Sequence, residues 1–132
     1  MALRYSTTLA NSIVSAFETA FEGGNLKIYS GAQPADGDTA ASGTLLATIP
    51  VPADGFTTAA SGVISKQGTW EDTVDTSGTA GWARLEDSGA SQNMDMAVTS
   101  TGGGGEIELD STSLVAGGVV TVSTFSITQP TS

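Results

Sequence analysis

Only one stretch of this 132-residue chain repeats with the period of a helix, and from Gly23 onward turn residues cut the chain into strand-length pieces. In "TTLANSIVSAFETAFE", residues 7–22, the apolar positions Leu9, Ile13, Ala16, Phe17, Ala20 and Phe21 fall at i, i+4, i+7, i+8, i+11 and i+12. Such spacing draws a single stripe along a helix and predicts that this stripe packs against a sheet. Thr7 or Thr8 is the expected N-cap, and Gly23 with Gly24 supplies the left-handed stop.

Past that stop the period changes to two. "NLKIYSG" puts Leu26 and Ile28 on one face and Lys27 and Tyr29 on the other. Residues 31–43, "GAQPADGDTAASG", read as a loop, and "TLLATIPV" as a strand that Pro50 and Pro52 confine to an edge or corner. Residues 55–72 predict a short strand, a glycine turn and a second strand running toward Trp70. In "GTAGWARLED", Gly81, Ala83 and Leu85 share one face while Trp82, Arg84 and Glu86 share the other. Gly102 to Gly105 read as a flexible tip, after which "EIELD" turns Ile107 and Leu109 inward and Glu106, Glu108 and Asp110 outward.

The closing strand, "VVTVSTFSITQ", is less simple. Val120 and Val122 have one parity and Phe125 and Ile127 the other. Either both faces are covered or a bulge near Ser123 switches them, and coverage of both faces is the expectation. Turns at intervals of roughly 8–12 residues, with no βαβ alternation, predict a mainly β protein. The expected architecture is an antiparallel β-sandwich or jelly-roll-like domain of seven or eight strands with one N-terminal α-helix over about residues 7–22. Residues 1–132 form one domain in this reading, with residues 1–6 as an arm. Its expected core is Leu9, Ile13, Phe17, Phe21, Leu26, Ile28, Leu85, Ile107, Leu109, Phe125 and Ile127.

The chain offers little chemistry. It has no histidine and no cysteine, which removes the usual general base near neutral pH, thiolate nucleophiles, disulfides and the usual zinc ligands. Arg4, Lys27, Lys66 and Arg84 stand against fourteen acidic residues, a net charge of -10, so a nucleic-acid partner is not expected. No apolar run approaches the ~18 residues of a membrane helix, and "MALRYSTTLANS" lacks the apolar region of a secretory signal. A soluble protein made in a cytoplasm, with no membrane partner, is the expectation.

Each motif that touches on chemistry reads better as structure. "PADGDT" lacks the further carboxylates and closing glutamate of a calcium loop, and "GGGG" lacks the Gly-Lys-Ser/Thr of a phosphate loop. Glu71-Asp72 and Glu86-Asp87 lie close to Trp70 and Trp82, as in some sugar-cleaving sites, but they are adjacent pairs at strand ends. The serines and threonines have no base to activate them. No enzyme activity, cofactor or metal is therefore expected.

Three stretches together resemble a widespread family of small phage and prophage structural proteins: "MALRYSTTLANSIVSAFETAF", "LKIYSGAQPADGDTAASGTLLATI" and "GEIELDSTSLVAGGVVTVSTFSIT". A fourth, "GTAGWARL", looks like a strand of the same family, which more often carries a large apolar residue where this chain has Ala83. The resemblance covers about two-thirds of the chain and includes no catalytic motif. It is best to the head decoration, or cement, proteins of tailed phages, jelly-roll-like domains clamped on the outside of a capsid. It implies the major capsid protein and sister copies, as a dimer or trimer, for partners, and the outer surface of the virion for location. A tail or tail-fibre component and a host-glycan-binding module remain the alternatives. Leu3, Arg4 and Tyr5, an apolar-basic-aromatic triplet out of character with this acidic chain, are the candidate contacts with a capsid subunit or sister copy.

Overall fold

The computed structural model describes residues 4–129, so Leu3 lies outside the described residues. One helix, α1 (Thr7–Phe21), precedes nine strands: β1 (Asn25–Ser30), β2 (Leu45–Pro50), β3 (Val63–Ser65), β4 (Glu71–Thr73), β5 (Gly78–Glu86), β6 (Asn93–Ser100), β7 (Ile107–Leu109), β8 (Ser113–Leu114) and β9 (Val119–Thr128). The protein is mainly β with one N-terminal helix, as the periodicity predicts.

The strands join in a single sheet of order β2-β1-β5-β6-β7-β9-β3, with β4 also on β9 and β8 also on β5. The sheet curls until its sides meet. The Leu46 carbonyl on edge strand β2 accepts the N–H groups of Asp75 and Thr76, just past β4, at 2.8 and 3.1 Å. Every pair is antiparallel except β6–β7, which is parallel, so the sheet is mixed where an antiparallel one was expected. A parallel pair ordinarily needs a crossover of a dozen or more residues. Here residues 101–106 suffice, because Gly102 and Gly104 take φ of +87° and a Cβ on Gly103 would lie 2.7 Å from Thr99. That loop is held rather than loose. Glu108 accepts the N–H groups of Gly102 and Gly104, and Thr99 Oγ1 accepts that of Gly105.

Ser6 is the N-cap of α1: its Oγ accepts the Leu9 N–H at 3.1 Å, one position ahead of the threonines expected there. The stop is Gly23, at φ +77°, as expected. The buried stripe of α1 is rotated from the expected one. Ala10, Val14 and Phe21 are buried and Phe17 packs half-buried on the core, whereas Leu9 is 48% exposed and Ile13 is half-buried outside the core cluster. The cause is a close approach to β3. The Gly62 N–H donates to Asn11 Oδ1 at 2.8 Å, and a Cβ on Gly62 would come within 3.2 Å of the Ala10 methyl. Only a small side chain fits there, so Ala10 turns inward and Leu9 outward.

The remaining expected core residues hold. Leu26, Ile28, Leu85, Ile107, Leu109 and Phe125 are buried, and Ile127 packs half-buried against the same cluster. At its centre Phe56, Trp70 and Phe125 meet edge to face, with centroids 5.3 to 6.1 Å apart. Coverage of both faces of the last strand is corrected to a bulge. Leu109 pairs with Val122 and Glu108 with Thr124, leaving Ser123 unopposed. The extra residue flips the parity, so Val120, Val122 and Phe125 all face the core.

Candidate assembly surface

The bulge in β9 also arranges the opposite face. Thr121, Ser123, Thr124, Ser126 and Thr128 point outward, and the strand's neighbours meet them with polar groups. Thr121 Oγ1 donates to Glu71 at 3.1 Å and Thr124 Oγ1 donates to Glu108 at 3.1 Å. Ser65 and Ser126 share a bond of 3.0 Å, and Thr101 and Ser123 one of 2.7 Å. The Asp110 carboxylate accepts the Thr121 N–H at 3.2 Å. The result is a hydroxyl strip bordered by Glu71, Glu108 and Asp110 and fixed to its own frame by these bonds.

The carboxylates that stand out in the sequence are likewise tied into structure. Asp36 Oδ1 accepts both N–H groups of Asp38 and Thr39 and the Thr39 hydroxyl, and the hydroxyl bond above all holds its carboxyl below the usual range. The "PADGDT" segment is thus a closed turn. Asp87 closes the β5–β6 turn by accepting the Ser91 N–H and hydroxyl, which lower its pKa. Glu86 pairs with Lys27 at 2.7 Å, and this bond raises the lysine's pKa. Glu108 is held low by the Gly102 and Gly104 amides and then by Thr124. Glu22 moves the other way, raised by partial burial and by Glu18 and Asp54. Among the described residues no three acidic side chains converge as a metal site would require.

Both tryptophans are fully buried, so neither offers a flat face to a sugar. Trp82 lies outside the main core cluster, on the outer side of β5, beneath the loop of residues 31–44. Tyr29 stacks on it at 4.6 Å, the Arg84 guanidinium sits 5.4 Å from its ring, and its Nε1 donates to the Ser42 carbonyl at 3.3 Å. Arg84 holds Asp95 with two bonds and reaches the Thr39 carbonyl at 2.7 Å. Sequence parity placed Trp82 and Arg84 on one face correctly, but nothing local announced that residues 31–44 fold back to cover them.

Of the expected contact triplet, Arg4 is exposed and Tyr5 half-buried immediately ahead of the Ser6 cap. The end of β9 lies beside the start of α1, since the Gln129 N–H donates to the Gly62 carbonyl and the Gly62 N–H to Asn11. Gly62 thus links the end of β9 to Asn11 in the second turn of α1. One exposed feature escaped the sequence reading: Val115 and Val119, 66% and 61% exposed, flank the Gly117-Gly118 turn between β8 and β9. Two valines bracketing a double glycine were the available signal.

Among the described residues no helix is long and apolar enough to cross a membrane. Comparison with family models, with curated proteins and with solved structures finds no match to this chain.

Proposed function

We propose that this chain is a non-enzymatic structural protein of a tailed-phage particle, a decoration or cement protein that binds the outside of the assembled head. Its partners in this reading are the major capsid protein and sister copies, and its place is the virion surface. The observation that carries the reading is the outward face of β9, a ten-residue strand whose outward hydroxyls are held by hydrogen bonds to Glu71, Thr101, Glu108 and Ser65. A protein that holds an assembly together needs contact area rather than reactive groups. Hydroxyls desolvate at far less cost than charges and still hydrogen-bond across the interface. The resemblance to small phage structural proteins read from residues 1–21, 26–49 and 105–128 points the same way.

The test is binding of purified protein to shells of the encoding phage assembled without it. Occupancy of the outer head surface with no added cofactor, and a higher rupture temperature once bound, are the expected results, because each bound copy stabilises only the assembled state. Labelled tails with bare heads would replace the head by the tail, and failure to bind either would remove the virion reading.

A further inference from the structure

We propose that the outward face of β9 takes a lysine- or arginine-bearing segment of its protein partner, seated over Thr121–Thr124 between Glu71 on one flank and Glu108 and Asp110 on the other. The proposal rests on β9 as the contact face and adds the chemistry of what covers it.

The hydroxyl hydrogens of this face are already engaged. Thr121 Oγ1 donates its one hydrogen to Glu71 and Thr124 Oγ1 donates its own to Glu108, both at 3.1 Å. Ser123 Oγ reaches the Glu108 carbonyl at 3.0 Å and Thr101 Oγ1 the Leu109 carbonyl at 3.1 Å, besides the 2.7 Å bond between these two hydroxyls. The side chains from Thr121 to Thr124 therefore have lone pairs left to offer and no hydrogens. Among the described residues Glu71 Oε1 and Asp110 Oδ2 accept no hydrogen bond either, since only the other oxygen of each carboxylate is used, both times by Thr121. The segment accepts; it does not donate.

Its negative charge is also unmatched. Glu71 stands on β4 and Asp110 just past β7, so β9 runs between carboxylates on both flanks, with Glu108 paired opposite Thr124. The ion pairs among the described residues are Lys27 with Glu86 and Arg84 with Asp95, and neither involves these three. Lys66 shares a cleft with Ser123, Thr124 and Ser126, but its Nζ donates to the Gly68 carbonyl at 2.8 Å and to no carboxylate. A neutral surface laid over the strip would take these carboxylates out of water with no opposite charge, which is costly. Lysine and arginine side chains bring both the charge and the missing hydrogens, as charge-assisted bonds. Nucleic acid would add phosphates, and a sister copy would add a net charge of -10. A basic protein segment is the occupant that charge complementarity selects.

Glu71→Gln with Asp110→Asn keeps an acceptor for Thr121 at both positions and removes two charges. On shells assembled without the protein, this variant should bind at least about tenfold more weakly than the parent and lose most of the parent's salt dependence. Glu18→Gln with Asp38→Asn removes the same charge from α1 and the 31–44 loop and should bind as the parent does. Equal losses from the two variants, each shown folded by an unchanged melting curve, would overturn the proposal, because overall charge would then be the cause. Free parent protein supplies a measurement that needs neither shells nor variants. A short peptide of alternating lysine and threonine should shift the amide signals of Glu71, Asp110 and Thr121–Thr124 most, and a peptide of alternating glutamate and threonine should not. Shifts spread over the whole acidic surface would also overturn it. Shells that capture the parent and the Glu71, Asp110 variant alike leave decoration standing and remove the basic occupant. Shells that capture neither, with the lysine peptide still mapping to β9, remove decoration and keep the basic occupant.

Discussion

Arg84 and Asp95 face each other directly across β5 and β6, joined by bonds of 2.7 and 2.9 Å, with side chains only 11% and 5% exposed. The third bond of the guanidinium, to the Thr39 carbonyl, pins the 31–44 loop over Trp82. Asp95→Ala leaves a largely desolvated cation without its partner and should cost about 3 kcal/mol. The loop should loosen with it, seen as faster hydrogen exchange around residue 39. The double variant Arg84→Met, Asp95→Leu removes the stranded charge and should recover most of the melting temperature, while the loop stays loose because the Thr39 bond is gone. A single variant as stable as the parent in urea would show that the pair contributes little.

The helix offers a second test, since its phase separates two apolar residues of similar character. Leu9→Asn changes an exposed position and should stay within about 0.5 kcal/mol of the parent. Val14→Asn buries an amide with no partner and should cost more than about 2 kcal/mol. Chemical denaturation of the two variants gives the phase directly, and the reverse order would restore the stripe through Leu9 and Ile13.

That phase marks the boundary of what the sequence could disclose. The existence of α1, its glycine stop and the inward alternation of Ile107 and Leu109 are local properties, and local spacing reveals them. The choice between the Leu9 and Ala10 faces depends on Gly62, fifty-two positions away, which no helical periodicity contains. The bulge at Ser123 was legible only as one of two alternatives, because the register that decides it belongs to Glu108 and Leu109 on another strand. The tight parallel link through four glycines reads in sequence as a mobile tip, because the carboxylate that organises it, Glu108, lies beyond the loop. At the surface, the outward face shared by Thr121, Ser123, Thr124, Ser126 and Thr128 likewise depends on that bulge, since the residues change parity at Ser123.

Acid should weaken this protein in a definite window. Glu108, Asp36 and Asp87 have folded pKa values below their ordinary 4.5, 3.8 and 3.8. Groups depressed on folding contribute stability that is fully present above the unfolded pKa and is lost as pH falls through the folded one. Glu22, raised from 4.5, has the opposite sign and gains native stability on protonation. With Glu22 acting in the opposite sense, the stability that Glu108, Asp36 and Asp87 contribute should therefore be lost as pH drops below about 4.5, seen as a falling melting temperature. Glu108→Gln should lower it at pH 7 and leave it unaltered well below the carboxylate range, where the parent is protonated too. An equal effect of that substitution at both pH values would assign Glu108 a role independent of its charge.

The two tryptophans should behave alike in solution despite lying on opposite sides of the sheet. Both are fully buried, so emission should be blue-shifted and poorly quenched by iodide. Trp70→Ala opens the centre of the Phe56–Phe125 cluster and should cost about 3–5 kcal/mol. Trp82→Phe keeps the stack on Tyr29 but loses the bond to Ser42, and should cost about 1 kcal/mol. Strong iodide quenching, or sugar-induced changes in emission, would show a tryptophan accessible to ligand.

The arm can be separated from the helix it precedes, because Ser6 belongs to the helix. Its hydroxyl caps the Leu9 N–H, so Ser6→Ala should lower stability by about 1 kcal/mol whatever the arm does. Deleting residues 2–5 spares that cap and removes Arg4, an exposed cation on an acidic chain, together with Tyr5. Free protein lacking residues 2–5 should therefore melt within a degree or two of the parent. If the arm docks on a capsid subunit, the same deletion weakens binding to shells at least about tenfold, or ~1.4 kcal/mol. Arg4→Ala alone should account for part of that loss and make the remaining binding less sensitive to salt, since screening acts on the charge that has been removed. Ser6→Ala supplies the contrast, lowering stability while leaving shell affinity at the parental value. Equal occupancy of shells by parent and truncated protein would show that the arm contributes nothing to assembly, and would leave the face of β9 as the contact.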